Sequence, residues 1–193
     1  FYADTTPLND EGVQRVQRRR LPALRGYEPA RDRDARAIYL LGFGYASLGR
    51  TDVAIDLMEE STRADPTNAK YLIGLGNQYR AKGRTGQATG VYRRALVLSP
   101  GDAEAAVELA ALLRAQGEDR QAEEVLRQAL RAAPQEIDLL VTLGTVLLDS
   151  GRAAEALPLL SRGVAKEPRN KTLRLLSGRA LRALGRHTEA VAH

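Results

Sequence analysis

The same residue types recur every 34 positions along most of this chain. Four prolines follow this interval, at Pro66, Pro100, Pro134 and Pro168. Five glycines and five alanines have the same period: Gly49, Gly83, Gly117, Gly151, Gly185, Ala54, Ala88, Ala122, Ala156 and Ala190. Three series with one period exclude coincidence. They predict a repeat protein, in which each unit is one supersecondary element that stacks on the next.

The pattern inside a unit is helical. Ile38, Leu41 and Tyr45 recur at three- and four-residue steps, which places them on one face of a helix. Gly49 then supplies the left-handed residue with which helices commonly end. Pro66 ends the second helix, since proline has no backbone N–H. Each unit is therefore predicted to be a helix, a glycine turn, a second helix and a proline turn.

Short polar residues mark where these helices begin, because their side chains can accept hydrogen bonds from free backbone N–H groups. The predicted N-caps of the first helices are Asn68, Asp102 and Asn170. Those of the second helices are Thr51, Thr85 and Asp119.

The period divides the chain into an N-terminal region, residues 1–34, and a repeat domain, residues 35–193. The predicted units of that domain are 35–68, 69–102, 103–136, 137–170 and a partial unit 171–193. Within the N-terminal region, Leu8, Val13 and Val16 indicate an amphipathic helix near residues 8–20, followed by a polar linker over 25–34.

Two roles for this N-terminal helix stay open. A stack of repeats needs cover for the apolar face of its first unit, and the helix can pack against residues 35–48. Alternatively, its arginines meet an acidic partner or an anionic lipid surface. These arginines are Arg15, Arg18, Arg19 and Arg20.

Two units contain residues that disfavour a regular helix. Pro158 and Gly163 predict a kinked or loosened second helix over residues 154–166. Gly86 and Gly90 lie in the second helix of the 69–102 unit. They indicate either drift on a tolerant outer surface or a functional hinge.

The second unit carries a fuller motif: Leu72, Leu75, Gly76, Tyr79, Ala88, Tyr92, Ala95 and Pro100. This motif resembles the tetratricopeptide repeat, and the resemblance extends over residues 35–193. It implies an all-α fold, an α-solenoid of stacked antiparallel helix pairs in a right-handed superhelix. Gly42, Gly76, Gly144 and the alanine series would let paired helices approach closely.

The resemblance also implies a site. In this family the second, fifth, ninth and twelfth residues of a unit usually face a concave groove. The fifth residues form an apolar series: Tyr39, Ile73, Val107, Val141 and Leu175. Candidates beside it are Phe43, Asn77, Arg80, Arg114, Thr145 and Arg179. Such a groove would bind a peptide or a helix of a partner protein, with apolar anchors and polar groups that fix its register. The alternative is that these side chains fill the joints between units.

Composition argues against most enzymes. The chain has no cysteine, which excludes a disulfide framework, a thiol nucleophile and a cysteine-ligated metal. Its two histidines both fall in the last seven residues, so we expect no catalytic residues, no metal and no cofactor.

We expect no nucleic acid as a partner, because aromatic residues make up only 5% of the chain. The net charge also changes sign between units, from +5 in residues 69–102 to −3 in 103–136.

The expected function is a non-enzymatic protein-protein interaction module: a scaffold, assembly factor or chaperone in a bacterial machine for pilus assembly, secretion or polysaccharide export. Arginine outnumbers lysine 25 to 4, which favours a GC-rich bacterial genome. Both the bacterial cytoplasm and the periplasm remain open, and no stretch is apolar enough to span a membrane.

Two alternative functions stay open. The first is a structural homo-oligomer that forms through an uncapped C-terminal end with Leu181, Leu184 and Val191. The second is a regulatory segment of a longer enzyme. The first residue is Phe1, and we expect the chain to be part of a longer protein.

Overall fold

The computed structural model describes residues 35–190, which fold into α-helices and contain no strand. The expectations for residues 1–34 and for Val191 lie outside the described residues. No helix within 35–190 is both long enough and apolar enough to cross a membrane. The helices are α1 Ala35–Ser47, α2 Thr51–Ala64, α3 Ala69–Ala81, α4 Thr85–Leu98, α5 Ala103–Ala115, α6 Asp119–Ala132, α7 Ile137–Asp149, α8 Ala153–Lys166, α9 Lys171–Ala183 and α10 His187–Ala190.

Consecutive helices form pairs, and the pairs stack along the chain. Helices α1 and α2 pack on each other, as do α3 and α4, α5 and α6, α7 and α8, and α9 and α10. Each second helix also contacts the first helix of the next pair, as α2 contacts α3. The all-α solenoid of helix pairs predicted from the 34-residue period is therefore confirmed.

Glycine turns join the two helices of every pair. Gly49 and Gly117 have φ values of +73° and +79°, in the left-handed region that side chains rarely adopt. The turn also satisfies carbonyl groups at the helix end, since the Arg50 N–H donates to the Tyr45 oxygen at 2.9 Å. The prediction that the glycine series ends the first helices is confirmed.

The predicted caps divide into two groups. Side chains of Asn68, Asp102 and Asn170 accept hydrogen bonds from backbone N–H groups at the starts of α3, α5 and α9, and these caps are confirmed. The capping prediction for Thr51, Thr85 and Asp119 is wrong, because each is the first helical residue of its helix. The preceding residue takes the cap position, and its side chain makes no capping bond. A single residue separates the turn glycine from the second helix. In the first pair this residue, Arg50, therefore takes the cap position in place of Thr51.

Small residues bring the paired helices together. A Cβ atom at Gly76 would lie 2.6 Å from the Tyr92 ring, and one at Gly144 would lie 2.6 Å from Leu160. Both distances are shorter than real Cβ contacts, so a side chain at either glycine would force Tyr92 or Leu160 to move. Tyr92 itself is fully buried. The expectation that these glycines permit close helix approach is confirmed.

Helix α8 is continuous from Ala153 to Lys166, with Pro158 inside it. The loosening predicted over residues 154–166 is therefore wrong, whereas the kink predicted as its alternative stays a prediction. Pro158 is exposed, and its ring removes a single hydrogen bond while Ala156 and Leu160 beside it are fully buried. Gly163 has a packing role, because a Cβ there would lie 2.6 Å from Leu173 of the next pair.

Candidate functional site

The first helices of the pairs line the inner side of the solenoid. Helices α1 and α3 contact each other, as do α5 and α7, and α7 and α9. The backbones of the second helices of successive pairs do not approach each other as closely within residues 35–190. Because the first helices are closer together, the stack curves towards them, and the predicted groove residues lie on that side.

The predicted apolar series does not form one continuous exposed surface. The Tyr39 ring stacks on Tyr71, with centroids 4.7 Å apart, and it fills the space beside Gly74. Ile73 is only 5% exposed and belongs to the core. These two side chains fill the joint between the first two pairs, which was the alternative that the sequence left open.

Further along, two members of the series line an open cleft. Val107 of α5 and Val141 of α7 are half-buried, and they lie in a cleft of about 390 Å³ between these two helices. Carboxylates line the same cleft, from Glu104, Glu108 and Asp138. The cleft therefore combines an apolar surface with negative charge. The sequence signal for this charge was the net −3 of residues 103–136.

Two polar candidates join α3 to α5. The Asn77 amide donates to Glu104 Oε1 at 2.8 Å and accepts the Tyr92 hydroxyl at 2.6 Å. Arg80 Nε lies 2.9 Å from Glu108 Oε2. Both side chains thus hold neighbouring units together and position two of the carboxylates in the cleft.

A second set of polar candidates lies at the C-terminal ends of the first helices. Arg114 Nη2 donates to Asp149 Oδ2 at 3.1 Å, and Arg179 Nη2 lies 3.8 Å from Asp149 Oδ1. The Thr145 hydroxyl donates to the Val141 carbonyl oxygen at 2.8 Å. Asp149 therefore links three successive units, a role that the sequence analysis did not assign to it.

The two ends of the groove differ in character. Phe43 on α1 is 57% exposed and Leu175 on α9 is 67% exposed. Leu175 lies in an open cleft of about 600 Å³ together with Lys171, Arg174 and other cations. The sequence analysis named Leu175 and Arg179 of this cleft but not Lys171 or Arg174, although residues 171–193 carry a net charge of +4.

Two buried tyrosines titrate abnormally. Burial raises the pKa of Tyr92 to about 12, and the Glu108 carboxylate acts in the same direction. Burial also raises the pKa of Tyr79 to about 12, assisted by the hydrogen bond that its hydroxyl donates to Glu59 at 2.6 Å. Both phenols consequently stay neutral in the folded chain at a pH where they ionise in the unfolded chain, whose tyrosine pKa is about 10.

This difference predicts alkaline destabilisation. The neutral phenols of Tyr79 and Tyr92 contribute to the free energy of unfolding, and this contribution is fully present below pH 10. It is lost as the pH rises from 10 towards 12, at roughly 1.4 kcal/mol per pH unit for each tyrosine. Urea denaturation measured between pH 9 and pH 12 would show the decline. Tyr92→Phe removes one of the two titrating groups and should make the decline shallower. An unchanged slope in that variant would contradict the assignment.

On the outer side of the stack, many charged side chains form ion pairs with each other. Arg152 Nη1 lies 2.6 Å from Glu123 Oε2, and Arg127 Nη2 lies 3.0 Å from Glu155 Oε2. Both arginines also contact the other glutamate of the pair, so the four side chains form a ring between α6 and α8. Within this ring each charge has a partner of opposite sign.

Comparison with known proteins identifies the repeat. Three family models described as tetratricopeptide repeat match residues 35–68, 79–143 and 141–193. No curated protein sequence matches the chain.

Several solved structures share the fold. A crystal structure of MamA protein is 24% identical, with a TM-score of 0.68, and the match covers 82% of this chain and 86% of that one. PilF of Pseudomonas aeruginosa is 21% identical, with a TM-score of 0.68 and coverage of 84% and 74%. YrrB, described as a TPR protein with an unusual peptide-binding site, is 16% identical, with a TM-score of 0.63 and coverage of 93% and 87%. At these identities the similarity shows a common fold.

Proposed function

Since this chain belongs to the tetratricopeptide repeat family, a family of protein-protein interaction modules, we propose that it binds a segment of a partner protein along the inner side of its stack. The binding surface consists of the first helices, and it is centred on the cleft between α5 and α7. The role is non-enzymatic: the module acts as a scaffold, assembly factor or chaperone in a bacterial multiprotein machine, such as one for pilus assembly, secretion or polysaccharide export.

The observation that carries this proposal is the accessible apolar surface of Val107 and Val141. Both side chains are half-buried, while Leu109 of α5 and Leu143 of α7 are buried in the core. Aliphatic groups at the bottom of a cleft supply the apolar contacts with which groove-binding peptides are anchored. YrrB, which has the same fold, is described as having a peptide-binding site.

The charges around the cleft define the chemistry of the partner segment. Glu104 and Glu108 are held in place by Asn77 and Arg80, while Asp138 is exposed on α7. Arg80 already pairs with Glu108, so Glu104 and Asp138 are the carboxylates that favour a segment with lysine or arginine next to its aliphatic anchors. The same carboxylates oppose an acidic segment at this position.

The test replaces both valines with lysine. Val107→Lys/Val141→Lys puts charge on the apolar surface, and the nearby carboxylates accommodate it better than they would accommodate glutamate. The matched control is Val53→Lys/Val97→Lys, on α2 and α4, where the valines are 39% and 81% exposed. Proteins are captured from a lysate of the source organism, identified by mass spectrometry and then titrated as purified proteins against each variant.

We expect the groove variant to bind the captured partner at least tenfold more weakly, and the control to bind it like the unmodified chain. Circular dichroism should show native helix content in both variants. Equal binding by all three proteins would contradict the groove assignment. Capture of the chain by itself would instead support the homo-oligomer that the sequence left open. At the C-terminal end, Leu181 is only 2% exposed and Leu184 is 38% exposed, so Leu184 would be the apolar residue available to such a contact.

A further inference from the structure

In the last pair, one face of the first helix, α9, is covered by the pair before it. In α9 this face consists of the third, sixth and tenth residues of the unit, Leu173, Leu176 and Ala180, which are 0%, 5% and 0% exposed. Leu173 contacts α8 of the preceding pair closely enough that a Cβ at Gly163 would lie 2.6 Å from it. Burial at these positions therefore depends on a helix from the preceding pair.

In α1 two of the same positions are open, while the third, Ala37, is half-buried. Leu40, which corresponds to Leu176, is 56% exposed. Gly44, which corresponds to Ala180, has no atom within 4 Å of the place where its Cβ would be. Phe43 beside them is 57% exposed. The first pair thus presents an apolar face at Leu40 and Gly44, whose equivalents are buried in α9, and the exposed Phe43 extends this face.

We propose that residues 8–20 of the same chain dock on this face as an amphipathic helix. Leu8, Val13 and Val16 recur at helical spacing and would form its apolar side. Gly12 lies within the same arc of such a helix, and opposite Gly44 it would allow the two backbones to approach closely.

The connecting chain is long enough for this arrangement. Residues 21–34 span up to about 46 Å when extended, whereas a helix of 13 residues is about 20 Å long. The chain can therefore reverse direction before α1 begins. So short a tether holds the segment near the face at an effective concentration of about millimolar, which favours it over the same segment of a second copy.

The test uses the fact that the chain has no cysteine. Leu40→Cys is combined with Val13→Cys or with Val16→Cys, and disulfide formation is measured in a glutathione redox buffer. The matched controls combine Leu40→Cys with Gln14→Cys or Arg18→Cys, which lie on the opposite side of the same helix. Tether length is nearly equal in all four proteins, so only docking distinguishes them.

We expect an intramolecular disulfide in at least one of the Val13 and Val16 pairs, with an effective molarity at least tenfold above both controls. Equal effective molarity in all four proteins would mean an undocked tether and would overturn the proposal. Disulfide-linked dimers without the intramolecular product would assign the face to a second copy, and no disulfide in any pair would also contradict docking.

A second measurement does not depend on cysteine. Leu40→Asp and Val16→Asp are made singly and together, and the unfolding equilibrium constant of each full-length variant is measured. If the two side chains touch, the double variant should be destabilised at least fivefold less than the product of the single effects. Val97→Asp combined with Val16→Asp is the control, because Val97 lies on α4 and its effect should multiply independently. If the effects of Leu40→Asp and Val16→Asp on the unfolding equilibrium constant multiply independently, the proposed contact is contradicted.

Discussion

Tyr92→Ala is expected to lower the free energy of unfolding by about 3–5 kcal/mol, which would unfold a marginally stable domain. The Tyr92 side chain is fully buried and is one of the largest in the core. Its ring packs against Gly76, and its hydroxyl donates to Asn77, which in turn holds Glu104. Truncation would leave a cavity between α3 and α4, and it would remove the hydroxyl group that donates a hydrogen bond to Asn77.

Urea denaturation followed by circular dichroism measures this loss, and two variants separate its causes. Tyr92→Phe keeps the ring and should cost about 1 kcal/mol, because only the hydrogen bond is lost. Val97→Ala on the same helix should stay within about 0.5 kcal/mol of the unmodified chain, because Val97 is 81% exposed. If Tyr92→Ala costs no more than Tyr92→Phe, the ring does not contribute to stability as its burial indicates.

Gly76→Ala is expected to destabilise the chain by about 1–2 kcal/mol, although alanine is the better helix former. The added Cβ would lie 2.6 Å from the Tyr92 ring, which is enclosed and cannot move aside without shifting α4. The overpacking exceeds the gain in helix propensity of about 1 kcal/mol.

Gly86→Ala is the matched control for this substitution. Gly86 lies in α4 and is exposed, and no atom lies within 4 Å of the place where its Cβ would be. The same change there should stabilise the chain, by less than the ~0.5–1 kcal/mol of a mid-helix position, because Gly86 is the second residue of α4. Opposite signs at the two positions, measured by chemical denaturation, would show that packing decides which glycines are required. A gain in stability at Gly76 would be incompatible with the close helix approach described here.

The predictions made from sequence succeeded where the cause is local. The left-handed glycines and the caps at Asn68 and Asp102 depend on groups within a few residues along the chain. There are two exceptions: the caps predicted at Thr51, Thr85 and Asp119, which are wrong, and Pro158. Its local effect is unfavourable, yet packing of buried residues on the same helix maintains a continuous α8.

The candidate site was predicted less completely, because identical positions in the repeat have different neighbours. Tyr39 and Val107 occupy the same place in their units. Tyr39 fills a joint beside Gly74, whereas Val107 stays accessible in a cleft. A rule based on position within the unit assigns the same role to both residues. The residues of the neighbouring unit determine whether the side chain fills a joint or stays accessible.

The sequence alone determined the period, the helix pairs and the turns, since backbone geometry and missing N–H groups act within one or two helical turns. The tertiary structure decided which groove residues remain accessible and how the charges pair. The polar pairs Asn77 with Glu104 and Arg114 with Asp149 join residues 27 and 35 positions apart. Such pairs depend on how one unit rests on the next, which a short-range pattern does not encode.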